Sequence, residues 1–72
     1  METATIVNKA LQGEPEHAVL QLESTKIFEF SNIIGEGISD GDLSHPTIQR
    51  ILNGGHKVQI TYTENDEVTL HF

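Results

Sequence analysis

The sequence predicts an α+β fold, a small antiparallel sheet of four to five strands (two hairpins) with one short helix, in the order β-β-β-α-β-β. Three observations lead to this prediction. Apolar residues alternate with polar ones in several short stretches, which is the period of a half-exposed strand. One stretch instead has the apolar spacing of a helix, and glycine-containing turns separate the stretches. The length of 72 residues suits a single domain, residues 1–72.

The first stretch, residues 3–11, is compatible with two structures. Its opening run, Thr3 to Val7, is rich in β-branched residues, as in a strand. Four of its residues also lie at helical spacing: Ile6, Val7, Ala10 and Leu11. We favour the strand, because the β-branched residues come first and the Gly13–Glu16 turn suits a hairpin.

The next two stretches alternate with period two and form the first predicted hairpin. The apolar positions are Ala18, Leu20 and Leu22, followed by Phe28 and Phe30. A three-residue turn at Ser24–Lys26 would place Leu22 opposite Phe28 and Leu20 opposite Phe30. Such aliphatic-aromatic pairs contribute roughly 0.2–1 kcal/mol each.

A short helix is predicted after a long loop. Pro46 is favoured at the first helical position and keeps His45 out of the α region. An apolar stripe follows at Ile48, Ile51 and Leu52. Gly54 stands where a left-handed C-cap is expected. A helix of about two turns must dock on the sheet to be stable.

The C-terminal hairpin has the clearest pattern. Two alternating sets, Val58, Ile60, Tyr62 and Val68, Leu70, Phe72, both fall on even numbers. A three-residue loop, Glu64–Asp66, puts both sets on one face and pairs Tyr62 with Val68, Ile60 with Leu70 and Val58 with Phe72. Asp66 then takes the left-handed position, which Asp tolerates.

Self-association is expected from the area that must be covered. A two-turn helix hides about half of one face of such a sheet, so a second copy or a partner would hide the remainder. The first or the last strand could also serve as an open edge in a homo-oligomer.

Charge points to the kind of partner. Eleven acidic residues against four basic ones give a net charge of −7. Such a surface repels phosphate, so direct binding to nucleic acid or to an anionic membrane is not expected. The acids provide solubility, and they could also meet a basic surface on another protein.

The segment from Gly35 to Asp42 is the main candidate contact. It is a mobile surface loop or a loop that touches a partner, since long loops in small domains are often functional. The predicted partner-binding residues are Glu36, Asp40, Asp42, Glu64 and Glu67, with Glu23 and Glu29 as further outward acids.

Metal and cofactor sites are not expected. Asp40, Asp42 and Ser44 alternate as in a calcium-binding EF-hand loop, but His45 replaces its bend glycine and Ile51 its glutamate. The four histidines lack close ligand spacing, and the chain has no cysteine. The glycine-rich loop carries three acids and no lysine, so it does not resemble a phosphate-binding loop.

Catalysis is not expected either, because no nucleophile motif is present and a chain this short leaves little room for a pocket of roughly 300 Å³. In size, acidity and lack of motifs the chain is similar to small inhibitors, many of them made by phages. We therefore predict a non-catalytic interaction module, of which a nucleic-acid mimic is one form. The alternative is a ligand-sequestering protein with its pocket between protomers.

A cytoplasmic location is expected. Residues 1–5 lack the basic and apolar regions of a signal peptide, and no run approaches the roughly 18 apolar residues of a membrane span.

Overall fold

An antiparallel sheet and a helix make up the fold in the computed structural model, which describes residues 1–10, 12–39 and 41–72. The described strands are β1 (Glu2–Lys9), β2 (His17–Leu22), β3 (Ile27–Glu29), β4 (Lys57–Tyr62) and β5 (Val68–His71). A 3-10 turn at Phe30–Asn32 follows β3, and helix α1 spans Pro46–Asn53. The α+β class and the order β-β-β-α-β-β are confirmed.

The strand order in the sheet is β3-β2-β1-β4-β5. The first stretch is thus a strand up to Lys9, and Leu11 lies outside the described residues. This strand pairs with β2 on one side and β4 on the other. The idea that the first strand offers an open edge is wrong, because both of its sides are occupied. The outer strands are β3 and β5.

The C-terminal hairpin has the predicted register. Tyr62 lies opposite Val68 and Ile60 opposite Leu70. Asp66 has a φ of 61°, which is the left-handed conformation expected of it. The predicted pairing of Val58 with Phe72 is wrong, since β5 stops at His71 and Phe72 is 65% exposed.

The first predicted hairpin forms with a register shifted by two residues. Leu20, and not Leu22, lies opposite Phe28. Leu22 instead donates a backbone hydrogen bond to Lys26, so the three-residue loop comprises residues 23–25, with Thr25 at a φ of 72°. The shift keeps every side chain on its predicted face, because two residues are one full period of a strand.

Helix α1 begins as predicted, and its left-handed end comes one residue later than predicted. Pro46 is its first residue and His45 is the N-cap, in an extended conformation. Gly54 is the C-cap, but its φ is −84°. The left-handed turn comes at Gly55 and His56, with φ of 92° and 71°. The prediction of a left-handed Gly54 is therefore wrong.

The core lies on the even-numbered face of the sheet, and α1 does not cover it alone. Ile33 and Ile38, from the connection between β3 and α1, are 6% and 5% exposed and pack with Ile48 and Ile51 of the helix. The chain's own connecting segment thus covers part of the face that a second copy or a partner was expected to cover, and self-association stays a prediction. On the opposite face Val19 is also fully buried, outside the main core cluster.

The sheet curls into a half-barrel, which brings side chains of β3 and β4 together. The Phe28 and Tyr62 rings lie 4.9 Å apart, although two strands separate β3 from β4. In a flat sheet, three strand-to-strand spacings of roughly 4.8 Å would place β3 and β4 about 14 Å apart. Beyond the 3-10 turn, Ile33 pairs with Val68, and the Ile34 amide donates to the Val68 carbonyl at 3.0 Å. The connection thereby shields the start of β5.

Candidate partner-binding groove

A groove of about 810 Å³ lies at the end of the sheet where β2 begins and β3 ends. The β1–β2 turn forms one wall and the segment before α1 forms the other. The lining consists of Glu14, Pro15, Glu16, His17, Glu29, Ser31, Ser39, Gly41, Asp42 and Leu43. The expectation that one protomer has little room for a pocket of roughly 300 Å³ is therefore wrong, since this open groove is larger.

Gly41 fixes the second wall against the sheet. Its carbonyl accepts a hydrogen bond of 3.1 Å from the amide of Ala18, just beyond the point where β3 stops pairing with β2. Gly41 is buried with a φ of 64°, and a Cβ there would lie 2.2 Å from the Ala18 carbonyl oxygen. This close approach is possible because glycine has no side chain.

The groove is strongly acidic. Four carboxylates line it, from Glu14, Glu16, Glu29 and Asp42, and none of its described lining residues is lysine or arginine. Each carboxylate adds to the negative potential of the concave surface, and a concave surface focuses such a field. A cation, or a basic side chain of a partner, is the kind of group that this groove favours.

His17 is the basic group inside the groove. Its Nε2 lies 3.5 Å from the Glu29 carboxylate and its Nδ1 lies 3.3 Å from the Pro15 carbonyl oxygen. Its side chain is 13% exposed, so most of it is shielded from solvent. His17 therefore links the β1–β2 turn to β3 across the groove.

Asp42 is held rigidly at the groove by its neighbour. One carboxylate oxygen accepts hydrogen bonds from the backbone amide of Ser44 at 2.9 Å and from its hydroxyl at 2.7 Å. These bonds, the amide first, lower the pKa of the Asp42 carboxyl below its ordinary value, because they stabilise the charged form. Asp42 therefore stays ionised at neutral pH.

No family model, no curated protein and no solved structure matches the chain. The chemistry of the groove's own residues is therefore the guide to its function.

Three of the five predicted partner-binding residues lie outside the groove lining. Glu36 is half-buried and accepts a hydrogen bond of 3.0 Å from the Thr47 hydroxyl, so it fastens its segment to α1. Glu64 and Glu67 are exposed at the β4–β5 turn. Asp40 lies outside the described residues. Of the acids predicted to contact a partner, the described groove lining contains Asp42 and Glu29.

Sequence reasoning did not single out Glu14 and Glu16, which form the other wall of the groove. The available signal was an acidic turn, Gly13–Glu16, beside a strand that begins with histidine. The pattern of this turn predicts only a chain reversal, because the sequence does not show that the segment before α1 returns to face it.

The described part of the chain contains neither a cluster of metal ligands nor a membrane-spanning helix. Among residues 1–10, 12–39 and 41–72, no group of three or more His, Asp or Glu side chains is placed to hold a metal ion. In the same residues, no helix has the length and apolar character needed to cross a membrane.

Proposed function

We propose that the protein is a non-catalytic interaction module that binds a basic surface of another protein and thereby modulates or inhibits it. The observation that supports this proposal is the acidic groove, with four carboxylates and no basic side chain other than His17 in its described lining. The net charge of −7 adds a long-range attraction for a basic partner.

Attraction between opposite charges would drive this binding. A lysine or arginine side chain that enters the groove can form charge-assisted hydrogen bonds with its carboxylates. Arginine fits such a site best, since its planar guanidinium can donate to two carboxylate oxygens at once.

Binding of a defined basic peptide tests the proposal. An arginine- and lysine-rich hexapeptide is titrated into the protein at low salt and followed by calorimetry and amide NMR shifts. Two charge-matched variants are compared, E16Q/E29Q in the groove and E64Q/E67Q at the β4–β5 turn. Each changes the net charge from −7 to −5, because each replaces two carboxylates by neutral amides.

We expect the groove variant to lose about three- to tenfold in affinity, on the scale of two exposed ion pairs, and the turn variant to lose little. Shifts should concentrate at residues 14–17 and 41–43. A loss confined to E64Q/E67Q would move the contact to the turn. Equal losses, or no binding by the unmodified protein, would refute the groove as the contact.

A second function is supported by the size of the groove. A volume of about 810 Å³ within one chain could hold a small cationic molecule, such as a polyamine, without a second protomer. Spermidine would then raise the melting temperature of the protein, and E16Q/E29Q would abolish that rise. Equal stabilisation of both charge-matched variants would indicate a general charge effect.

Three parts of the proposal concern its setting. We propose a cytoplasmic location, supported by the absence of cysteine.

We propose self-association beside β5, where Ile34 and Phe72 are 55% and 65% exposed. Native mass spectrometry tests it, and a monomer mass at micromolar concentration would refute it. A nucleic-acid mimic is a special case, in which the protein and DNA compete for one partner.

A further inference from the structure

Helix α1 begins with a histidine cap. The His45 backbone is extended, with φ of −64° and ψ of 136°, and its Nδ1 accepts a hydrogen bond of 3.1 Å from the Thr47 amide. An amide N–H is always a donor, so Nδ1 must carry a lone pair in this arrangement. The capped state therefore requires a neutral ring with its proton on Nε2.

We infer that this cap is a protonation-sensitive switch at the start of α1. A proton added to Nδ1 converts this acceptor into a donor. Nδ1 can then no longer accept the hydrogen bond from the Thr47 amide. The positive charge also lies at the positive end of the helix dipole, which opposes it. The ring must then leave the Thr47 amide, and an imidazole changes charge between about pH 5 and pH 8.

The charged groups around His45 define where the protonated ring would turn. Asp42 lies in the same segment, and its backbone carbonyl accepts a hydrogen bond of 3.0 Å from the His45 amide. Glu36, from the connection after β3, is bonded to the Thr47 hydroxyl. Below the helix, β4 contributes the buried apolar residues Val58 and Ile60. Once protonated, the ring would be attracted to the Asp42 and Glu36 carboxylates, which belong to the described residues of these neighbouring segments.

This switch would change more than one hydrogen bond. Glu36 joins the connection after β3 to α1 through the Thr47 hydroxyl, and the Asp42 carboxylate, which lines the groove, bonds Ser44 within the segment before α1. Movement of the His45 ring toward these carboxylates would weaken both sets of hydrogen bonds. The inference rests on the helix cap alone, so it stands or falls independently of the proposed partner.

NMR of the unmodified protein tests the inference. The His45 ring signals and the Thr47 amide signal are followed together from about pH 8.5 to about pH 5. We expect both to move with one midpoint. We also expect the protection factor of the Thr47 amide to fall about fivefold or more, the change that loss of a typical N-cap produces.

His45→Asn is the matched variant, because asparagine is a good N-cap that does not titrate in this range. Its Thr47 amide should keep its shift and protection across the titration. His71→Gln, at an exposed histidine of β5, should leave the response unchanged. The inference is overturned if the His45 ring titrates while the Thr47 amide stays fixed. It is overturned equally if the ring stays neutral throughout, or if H45N retains the response.

Discussion

The Lys26 ammonium lies 2.9 Å from the Asp66 carboxylate and so joins the β2–β3 turn to the β4–β5 turn. The same ammonium lies 5.0 Å from the ring centroids of Phe28 and Tyr62. These contacts form between the two ends of the curled sheet. The Tyr62 hydroxyl in turn donates to Glu2 at 3.0 Å, which adds the start of β1 to the cluster.

This cluster predicts a loss of stability at alkaline pH. The hydrogen bond to Asp66 raises the pKa of Lys26, and the hydrogen bond to Glu2 raises the pKa of Tyr62. Folding thus favours the protonated form of both groups. Their stabilisation is present below the unfolded values, near about pH 10, and is lost as pH rises through the folded values.

Urea unfolding from about pH 8 to about pH 11 measures this effect. We expect the free energy of unfolding to fall more steeply with pH in the unmodified protein than in D66N or Y62F. Asparagine also tolerates the left-handed position of residue 66, so D66N tests the charge and leaves the turn intact. K57Q, at an exposed lysine of β4, should behave like the unmodified protein. Identical slopes in all four proteins would contradict the prediction.

Gly41→Ala is predicted to destabilise the fold strongly. Its Cβ would lie 2.2 Å from the Ala18 carbonyl oxygen, and that contact is with backbone that cannot rotate away. Gly37→Ala is the matched control, since Gly37 has a φ of 65° and a Cβ there would meet no atom within 4 Å beyond its chain neighbours. We expect a loss of about 1–2 kcal/mol for G37A from the left-handed conformation alone, and clearly more for G41A.

Thermal and urea unfolding of both variants provide the comparison. Because the two glycines have nearly the same φ, the difference between the variants reports mainly the close contact with β2. Equal losses would show that the segment before α1 does not press against Ala18 as described.

Thr25→Gly is predicted to stabilise the protein. Thr25 is β-branched and has a φ of 72°, where the side chain crowds the backbone. Glycine removes this strain, worth about 1–2 kcal/mol, and loses part of the gain through greater freedom of the unfolded chain. The urea midpoint should rise for T25G and also for T25N. A fall in both variants would argue against the left-handed turn at this position.

Ser44→Ala is predicted to change the acid titration of Asp42. The hydroxyl of Ser44 supplies one of the two bonds that lower the pKa of the Asp42 carboxyl, so its loss should raise that pKa toward the ordinary value. Carboxyl carbon NMR measures the titration directly. An Asp42 titration that is the same in S44A and the unmodified protein would contradict this account.

The ionised Asp42 carboxylate also contributes to the stability of the folded protein at acid pH. Since its folded pKa is lowered, its contribution is present above the unfolded value and is lost as pH falls through the folded value. The fall in stability below about pH 4 should therefore be shallower in S44A.

The sequence by itself determined the features that depend on near neighbours. Alternation, loop parity and an aspartate suited to the left-handed position were enough for the register of the C-terminal hairpin. Pro46 was enough for the start of α1. These features follow from local sterics and from the two-residue period of a strand. Both can be recognised from a few consecutive residues of the sequence.

The tertiary structure decided what depends on distant contacts. Parity could not choose between Leu20 and Leu22 as the partner of Phe28, since both lie on one face. In the observed register, a 3-10 turn begins at Phe30. Lys26 also forms an ion pair with Asp66, which is 40 residues away in the sequence. The central place of β1, the cover supplied by Ile33 and Ile38, and the acidic groove all require separate segments to meet. Such meetings depend on the packing of the whole chain, and local patterns carry no information about them.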